Sequence, residues 1–373
     1  MTHRKKVLVG MSGGVDSSAV CMMLQEQGYE VVGLTMRMWD IVSHFKEGSD
    51  EPSFITEARE LARKLNIKHI TLDIRKEFKE SVVKYFVDEY MAGHTPNPCV
   101  MCNLFFKWKY LQEKADEYGC DFVATGHYAR IVERDGIMFV AKGVDSKKDQ
   151  SYFLWRLGQK ELKRTLFPLG TLEKSDIKEY VLKKGFKEKA EKKESMEVCF
   201  VEKDYRTFLK EQLPEIDSIV GEGKFVDNMG KKLGMHKGFP YYTIGQRKGL
   251  EIALGEPAYV VRINPSRNTI RLGKKEELLS KKMVVQDVVS PLSEDLQSEK
   301  LEVRIRYRSA PLKCRVTARI EDKILVDFFE EASAITPGQS AVFYIDDVVV
   351  GGGIICEPKQ IRKFKPENDN SLE

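Results

Sequence analysis

The sequence predicts an α/β fold in which a doubly wound parallel, Rossmann-like sheet is followed by a small β domain and a C-terminal β-barrel. Three observations carry this expectation. Short apolar strands alternate with helical patterns over the first third of the chain. A serine-glycine turn joins the first strand to the first helix. After about residue 220 the helical periodicity gives way to short alternating segments punctuated by Gly, Asn and Pro.

Residues 5–10, 30–36, 68–73 and 121–125 read as strands rich in Val, Ile or Leu, and 15–27, 54–65, 77–91 and 104–118 as helices. Strand–helix alternation at this spacing implies a parallel sheet covered on both faces. Ligands on such sheets gather at the carboxyl ends of the strands. The first of those ends carries Gly10-Met11-Ser12-Gly13-Gly14-Val15-Asp16-Ser17-Ser18. A strand that turns there into a helix aims backbone N–H groups at an anion, usually phosphate. Gly13 and Gly14 permit backbone geometry that a Cβ would block. No Gly-Lys-Ser/Thr follows, so this is not a Walker-type loop.

A lysine-rich helical stretch near 173–194 ends the α/β pattern. Strands are then expected in Gly223–Asp227, Pro240–Gln246, Ala258–Ile263 and Thr269–Leu272, and at 283–289, 301–307, 313–320, 323–328, 340–345 and 348–355, with a tight Asp346-Asp347 hairpin between the last two. The expected domains are 1–207, 208–276 and 280–358, with a polar, mobile tail at 359–373.

At 373 residues the chain can bury several cores. Its 42% hydrophobic and 32% charged content describes an ordinary soluble protein. No apolar run approaches a membrane span, and MTHRKK is not followed by a signal-peptide cleavage site. A cytoplasmic location without membrane partners is expected. The net charge of +4 says little, but Lys183–Lys193 and Arg304–Arg315 are locally basic. Each is either a solvated face or a phosphate-backbone contact.

Of seven cysteines, Cys21 and Cys356 fall in apolar patterns, and Cys120 and Cys314 lack sequence partners. Cys99, Cys102 and Cys199 lie in polar contexts that read as loops. Two prolines stiffen His94-Thr95-Pro96-Asn97-Pro98-Cys99-Val100-Met101-Cys102. Cys-x-x-Cys alone is compatible with a redox pair, half a zinc site, iron–sulfur ligands or coincidence, and no second zinc-ligand pair is visible nearby.

Six motifs in order make a specific resemblance: SGGVDSS, TPNPxxxCN, ATGHYAR, KDQSYFL, ESxxxCF and GQRKGL. SGGVDSS resembles the pyrophosphate loop of the ATP pyrophosphatases, whose fold is called adenine nucleotide alpha-hydrolase-like. The whole set resembles the tRNA-specific 2-thiouridylases, which thiolate the wobble uridine. Arg306-Tyr307-Arg308 and Pro337-Gly338-Gln339 extend the match into the C-terminal region.

The resemblance implies an enzyme that adenylates the uridine oxygen with ATP and Mg²⁺, the latter held via Asp16, and then displaces AMP with sulfur. It implies a persulfide on Cys199, with Cys102 acting on it to release sulfide or to form a Cys102–Cys199 disulfide. ATP contacts map to Gly10, Met11, Ser12, Gly13, Gly14, Val15, Asp16, Ser17, Met36 and Gly126. Target-base contacts map to Asn97 and Pro98, with Cys99 next. tRNA contacts map to His127, Lys148, Asp149, Gln150, Arg306, Tyr307 and Gln339. The expected partners are the lysine, glutamate and glutamine tRNAs and an upstream sulfur donor, a cysteine desulfurase or relay protein.

Two departures stand out. Cys99 replaces the family's usual aspartate, and Ser195-Met196-Glu197-Val198 replaces its usual Ser-Thr-Gly-Ile. The first creates a Cys99, Cys102, Cys199 set, the number of thiols that hold a 4Fe–4S cluster in related enzymes. An amide-forming enzyme such as argininosuccinate synthetase has no use for the paired cysteines. A non-catalytic tRNA-binding or sulfur-relay protein has no use for an intact SGGVDSS.

Overall fold

A computed structural model describes residues 4–187 and 198–364. In chain order the first part runs β1 (Lys6–Gly10), α1 (Val15–Glu26), β2 (Glu30–Arg37), α2 (Ser53–Lys64), β3 (Lys68–Asp73), α3 (Arg75–Phe78), α4 (Lys84–Met91), α5 (Pro98–Cys102), α6 (Lys109–Glu117), β4 (Phe122–Ala124), β5 (Ala129–Arg134), β6 (Ile137–Lys142), α7 (Gln159–Leu162), β7 (Thr165–Leu166) and α8 (Lys174–Lys183). It continues with α9 (Tyr205–Gln212), α10 (Ile216–Val220), β8 (Gly223–Val226), β9 (Lys232–His236), β10 (Tyr259–Asn264), β11 (Thr269–Gly273), β12 (Leu279–Val289), β13 (Glu302–Arg304), β14 (Leu312–Ile320), β15 (Lys323–Ser333), β16 (Ser340–Ile345) and β17 (Val348–Ile355).

These elements form two compact units, each discontinuous in sequence. The first is Met1–Val83 with Cys99–Glu202 and Asp347–Val349; the second is Lys84–Pro98 with Lys203–Asp346 and Val350–Glu373.

The first unit is built on a parallel sheet in the order β3-β2-β1-β4-β7. β1 lies at its centre, and Val7, Leu8 and Val9 are fully buried, as expected of a strand covered on both faces. α1 is buried on most sides because α8 lies over it through Ile177 and Val181. The predicted strands and helices are all present, with ends displaced by a few residues. The β5–β6 hairpin was not among them. It turns at Asp135 and Gly136, both with positive φ, and Asp-Gly is a strong short-range hairpin signal.

In the second unit β8–β11 make a four-stranded sheet in the order β10-β11-β8-β9. β12–β17 close into a six-stranded barrel, with β12 pairing both β15 and β17. The expected Pro240–Gln246 strand is instead a 3₁₀ turn over Phe239–Tyr241, where Pro240 cannot donate to a ladder. Only Gly245 and Gln246 beyond it exchange backbone bonds with Val260. The last part of the lysine-rich stretch and the tail after Phe364 fall outside the described residues.

Candidate functional site

The end of β1 supplies the first half of the site. Gly14 is the N-cap of α1 and no side chain caps this end, so the first amides of α1 lack an intrahelical acceptor. Ser17 Oγ accepts from the Ser12 N–H at 3.2 Å, and Ser17 and Ser18 donate to the Gly14 carbonyl at 3.2 and 2.8 Å. The turn is therefore tied to its own helix. Gly13 sits at φ +72°, and a Cβ there would lie 2.6 Å from the Phe54 carbonyl oxygen. A Cβ on Gly126, just past β4, would lie 2.9 Å from Asp16 Cβ. Gly10 and Met36, at the ends of β1 and β2, complete the rim.

The Asp16 carboxylate is partly exposed, but both of its oxygens are already engaged. Lys174 Nζ donates to both of its oxygens at 2.7 and 2.8 Å, and Tyr128 Oη to one at 2.7 Å. The Lys174 side chain is only 8% exposed. Direct Mg²⁺ ligation by Asp16 does not fit this arrangement, because a buried ammonium already occupies the cation position against the carboxylate. Neither Lys174 nor Tyr128 was anticipated as part of the site. A lysine in the first turn of α8, where the helix dipole disfavours cations, was the available signal.

Cys99 and Cys102 do not sit in a loop. They lie on α5, whose first residue is Pro98, a position where the missing N–H costs nothing. The helix then widens into a π-helical turn, Asn103–Trp108, a form frequent at functional sites. Asn103 is buried and donates to the Phe153 carbonyl at 2.9 Å, and Trp108 Nε1 donates to Thr165 at 2.8 Å. Cys199 occupies an exposed turn closed by the Val201 N–H to Val198. Its neighbour Phe200 is buried against Trp39 and Phe78, with ring centroids 6.4 and 5.5 Å apart, and Phe78 meets Phe106 of the π turn at 5.6 Å. This edge-to-face aromatic cluster brings the Cys199 turn beside the segment that carries Cys102.

All seven cysteines are free thiols. Burial pushes Cys99 up to about 11 and Cys102 up to about 12, and desolvation of the Cys199 sulfur raises it in the same direction although the residue as a whole is exposed. Each of the first two is raised further by a neighbouring thiol of the set, whereas Lys107 favours the thiolate of all three. Among the described residues no three His, Cys, Asp or Glu side chains are gathered to hold a metal ion, and that includes these cysteines.

His127 is held by Thr125 at 2.7 Å and lies between Trp108 and Phe167. Desolvation, aided by Lys107, keeps it well below its usual range, so it is neutral. Asp149 is buried and accepts from the Gly143 and Ser151 amides, while Gln150 Oε1 accepts from Tyr128 N–H. Beside them Lys148 is half-buried. In the second unit Arg306 donates to Ala334 O and Thr336 Oγ1 at 2.7 and 2.8 Å. Gln339 donates to the carbonyls of Thr95 and Pro96 at 2.9 and 3.1 Å. Tyr307 is half-buried, while Arg308, Lys313 and Arg315 remain exposed.

Three family models cover the chain in succession: the tRNA methyl transferase HUP domain over residues 5–203, the tRNA methyl transferase PRC-barrel domain over 206–274, and the aminomethyltransferase beta-barrel domain over 280–355. The chain is 56% identical over 370 residues to tRNA-specific 2-thiouridylase MnmA 3 of Phocaeicola vulgatus, covering 99% of both chains. It is 55% identical over 359 residues to the MnmA 3 of Bacteroides fragilis, covering 96% of both. To the MnmA 2 of Clostridium tetani it is 47% identical over 357 residues, 94% of this chain and 99% of that one. Pyrophosphate loop, cysteine set and end-to-end likeness agree: this chain belongs to the tRNA-specific 2-thiouridylase family and is a tRNA sulfurtransferase.

Proposed function

We propose that the enzyme replaces the 2-oxygen of the tRNA wobble uridine by sulfur in two steps, both served by the first unit. In the first, the uridine O2 attacks the α-phosphorus of ATP, and pyrophosphate leaves toward the uncapped end of α1. Adenylation is needed because oxide is a poor leaving group and AMP is a good one. Gly10–Ser17, Met36 and Gly126 hold the nucleotide, and Mg²⁺ accompanies it as counter-ion to the phosphates.

In the second step the terminal sulfur of a Cys199 persulfide attacks C2, and the C2–O bond breaks with departure of AMP. Cys102 then attacks Cys199 Sγ. The S–S bond to the transferred sulfur breaks, that sulfur stays on the base as the thiocarbonyl, and a Cys102–Cys199 disulfide forms. An external thiol reductant and a sulfur donor restore the persulfide. Asn97, Pro98 and Cys99 face the target base. His127, Lys148–Gln150, Arg306 and Tyr307 serve tRNA docking for the lysine, glutamate and glutamine acceptors, and the setting is the cytoplasm.

The observation that carries this reading is the aromatic anchoring of the Cys199 turn beside the Cys102 segment, in one unit with the pyrophosphate loop. Single-turnover thiolation tests it. Cys199→Ser and Cys102→Ser should each abolish 2-thiouridine formation while Cys199→Ser still releases pyrophosphate on addition of unmodified tRNA. A fully active Cys199→Ser enzyme would exclude the persulfide route, and a visible absorption band in anaerobically purified protein, lost in Cys99→Ala, would favour a cluster instead.

A further inference from the structure

The segment Gly93–Pro96 is gripped by its own unit. Gly93, at φ +79°, lies so close to Pro265 that a Cβ would meet the ring at 2.6 Å. His94 is held by Glu89 at 3.0 Å. The Thr95 N–H donates to the Pro337 carbonyl at 2.9 Å. Gly338 follows at φ +89°, and a Cβ there would fall 2.9 Å from Thr95 O and 3.0 Å from His94 Cβ. Gln339 then spends its amide nitrogen on two successive carbonyls, Thr95 O and Pro96 O. The far side of this barrel loop is fixed by ladder bonds, Gly338 N–H to Ile355 O and Ile355 N–H to Gln339 O.

The need for such a grip is written in the sequence. Pro96 and Pro98 have no N–H and cannot organise this stretch by local hydrogen bonds, so its carbonyls must be satisfied from elsewhere. A Gln amide offers two donors on one nitrogen, which suits a pair of adjacent carbonyls. While it holds both, only Gln339 Oε1 is left to meet RNA.

We infer that the barrel loop Thr336–Gln339 is a positioning clasp for the Thr95–Pro98 segment, with Gln339 as its positioning residue. The inference rests on the reading that Asn97 and Pro98 face the target base. It assigns Gln339 to the placement of that segment, so that its loss shows in the chemistry of bound tRNA rather than in tRNA affinity.

The test compares Gln339→Leu with the parent enzyme. The probe is an unmodified lysine tRNA transcript, with enzyme preloaded with persulfide. We expect the tRNA Kd to stay within about twofold, and single-turnover thiolation of saturating tRNA to fall roughly ten- to a hundredfold, the cost of a misplacement of about 1 Å at a reacting centre. Peptide hydrogen exchange over 92–99 should rise, a change that an RNA-contact residue would not produce. Gly338→Ala should act in the same direction, and if it fails to fold, Gln339→Leu alone carries the test.

A raised Kd with unchanged turnover of bound tRNA would overturn the clasp and make Gln339 an RNA contact. Unchanged Kd, turnover and exchange would overturn it as well. Asn97→Ala separates the two layers. If Asn97→Ala thiolates normally while Gln339→Leu loosens 92–99, the target-base reading fails and the clasp stands as a structural brace.

Discussion

Asp16 poses a charge problem at the scale of single residues. In the proposed nucleotide site the Asp16 carboxylate would repel a triphosphate, and the Lys174 ammonium paired with it offsets that charge. Lys174→Met should therefore weaken ATP binding, measurable by calorimetry. It should also lower stability by roughly 2–3 kcal/mol, less than the 3–5 for a fully buried pair because Asp16 is partly exposed. Adding Asp16→Asn should return most of the lost stability, the signature of a coupled pair. The loop was legible in the sequence because its residues, Gly10–Ser18, are contiguous. Lys174 was not, because its partner lies 158 residues away and the contact exists only once α8 has packed on α1. The cysteines show the same divide. Their identities were plain, but the burial that raises Cys102 to about 12 is a property of the fold. Iodoacetamide labelling of Cys102 in resting enzyme should accordingly stay slow through pH 9, where an ordinary thiol is already reactive.

Among elements, the informative departures lie around α5. Two prolines suggested an irregular loop, yet Pro98 starts a helix, and the π turn after Cys102 re-aims the residues that follow. Proline reads ambiguously because the same ring that breaks a helix interior suits its first position. Phe200 is the hinge pin of the facing turn. Phe200→Ala should cost about 3–5 kcal/mol. It should also slow disulfide formation between Cys199 and Cys102, followed by loss of free thiols after one turnover. In the second unit His94 sits against Glu89 and Glu357, and its pKa is raised first by the hydrogen bond to Glu89. A raised folded-state value means this stabilisation is full below the unfolded pKa of about 6.5 and fades as pH climbs through the folded one. Glu89→Gln should reduce that pH dependence, leaving the part due to Glu357, as read by urea unfolding at pH 6 and pH 8. The β5–β6 hairpin was within reach of the sequence through its Asp-Gly turn. The loss of the 240–246 strand was not, because it depends on how Gly245 and Gln246 meet β10.

For the whole molecule, the order of segments was readable because alternation and periodicity are local, whereas the units are not contiguous stretches. Residues 84–98 belong with the barrel-bearing unit, and the chain changes unit at the Pro98–Cys99 bond, directly before the first thiol of the set. Local patterns hold no information about such an exchange; it follows from contacts such as those of Thr95 and Gln339. The net charge of +4 is modest, so tRNA affinity should come from exposed residues such as Arg308, Lys313 and Arg315 and weaken as salt rises. Lys313→Ala should flatten the slope of log K against log salt by about one.

In the proposed reaction ATP is cleaved to put AMP on the uridine oxygen that sulfur then displaces. This is tested by preparing the tRNA with ¹⁸O at O2 of the wobble uridine and analysing the AMP from one turnover by mass spectrometry. Adenylation of the uridine O2 should leave one ¹⁸O in AMP for each 2-thiouridine formed. Unlabelled AMP, with the ¹⁸O in water or pyrophosphate, would contradict it.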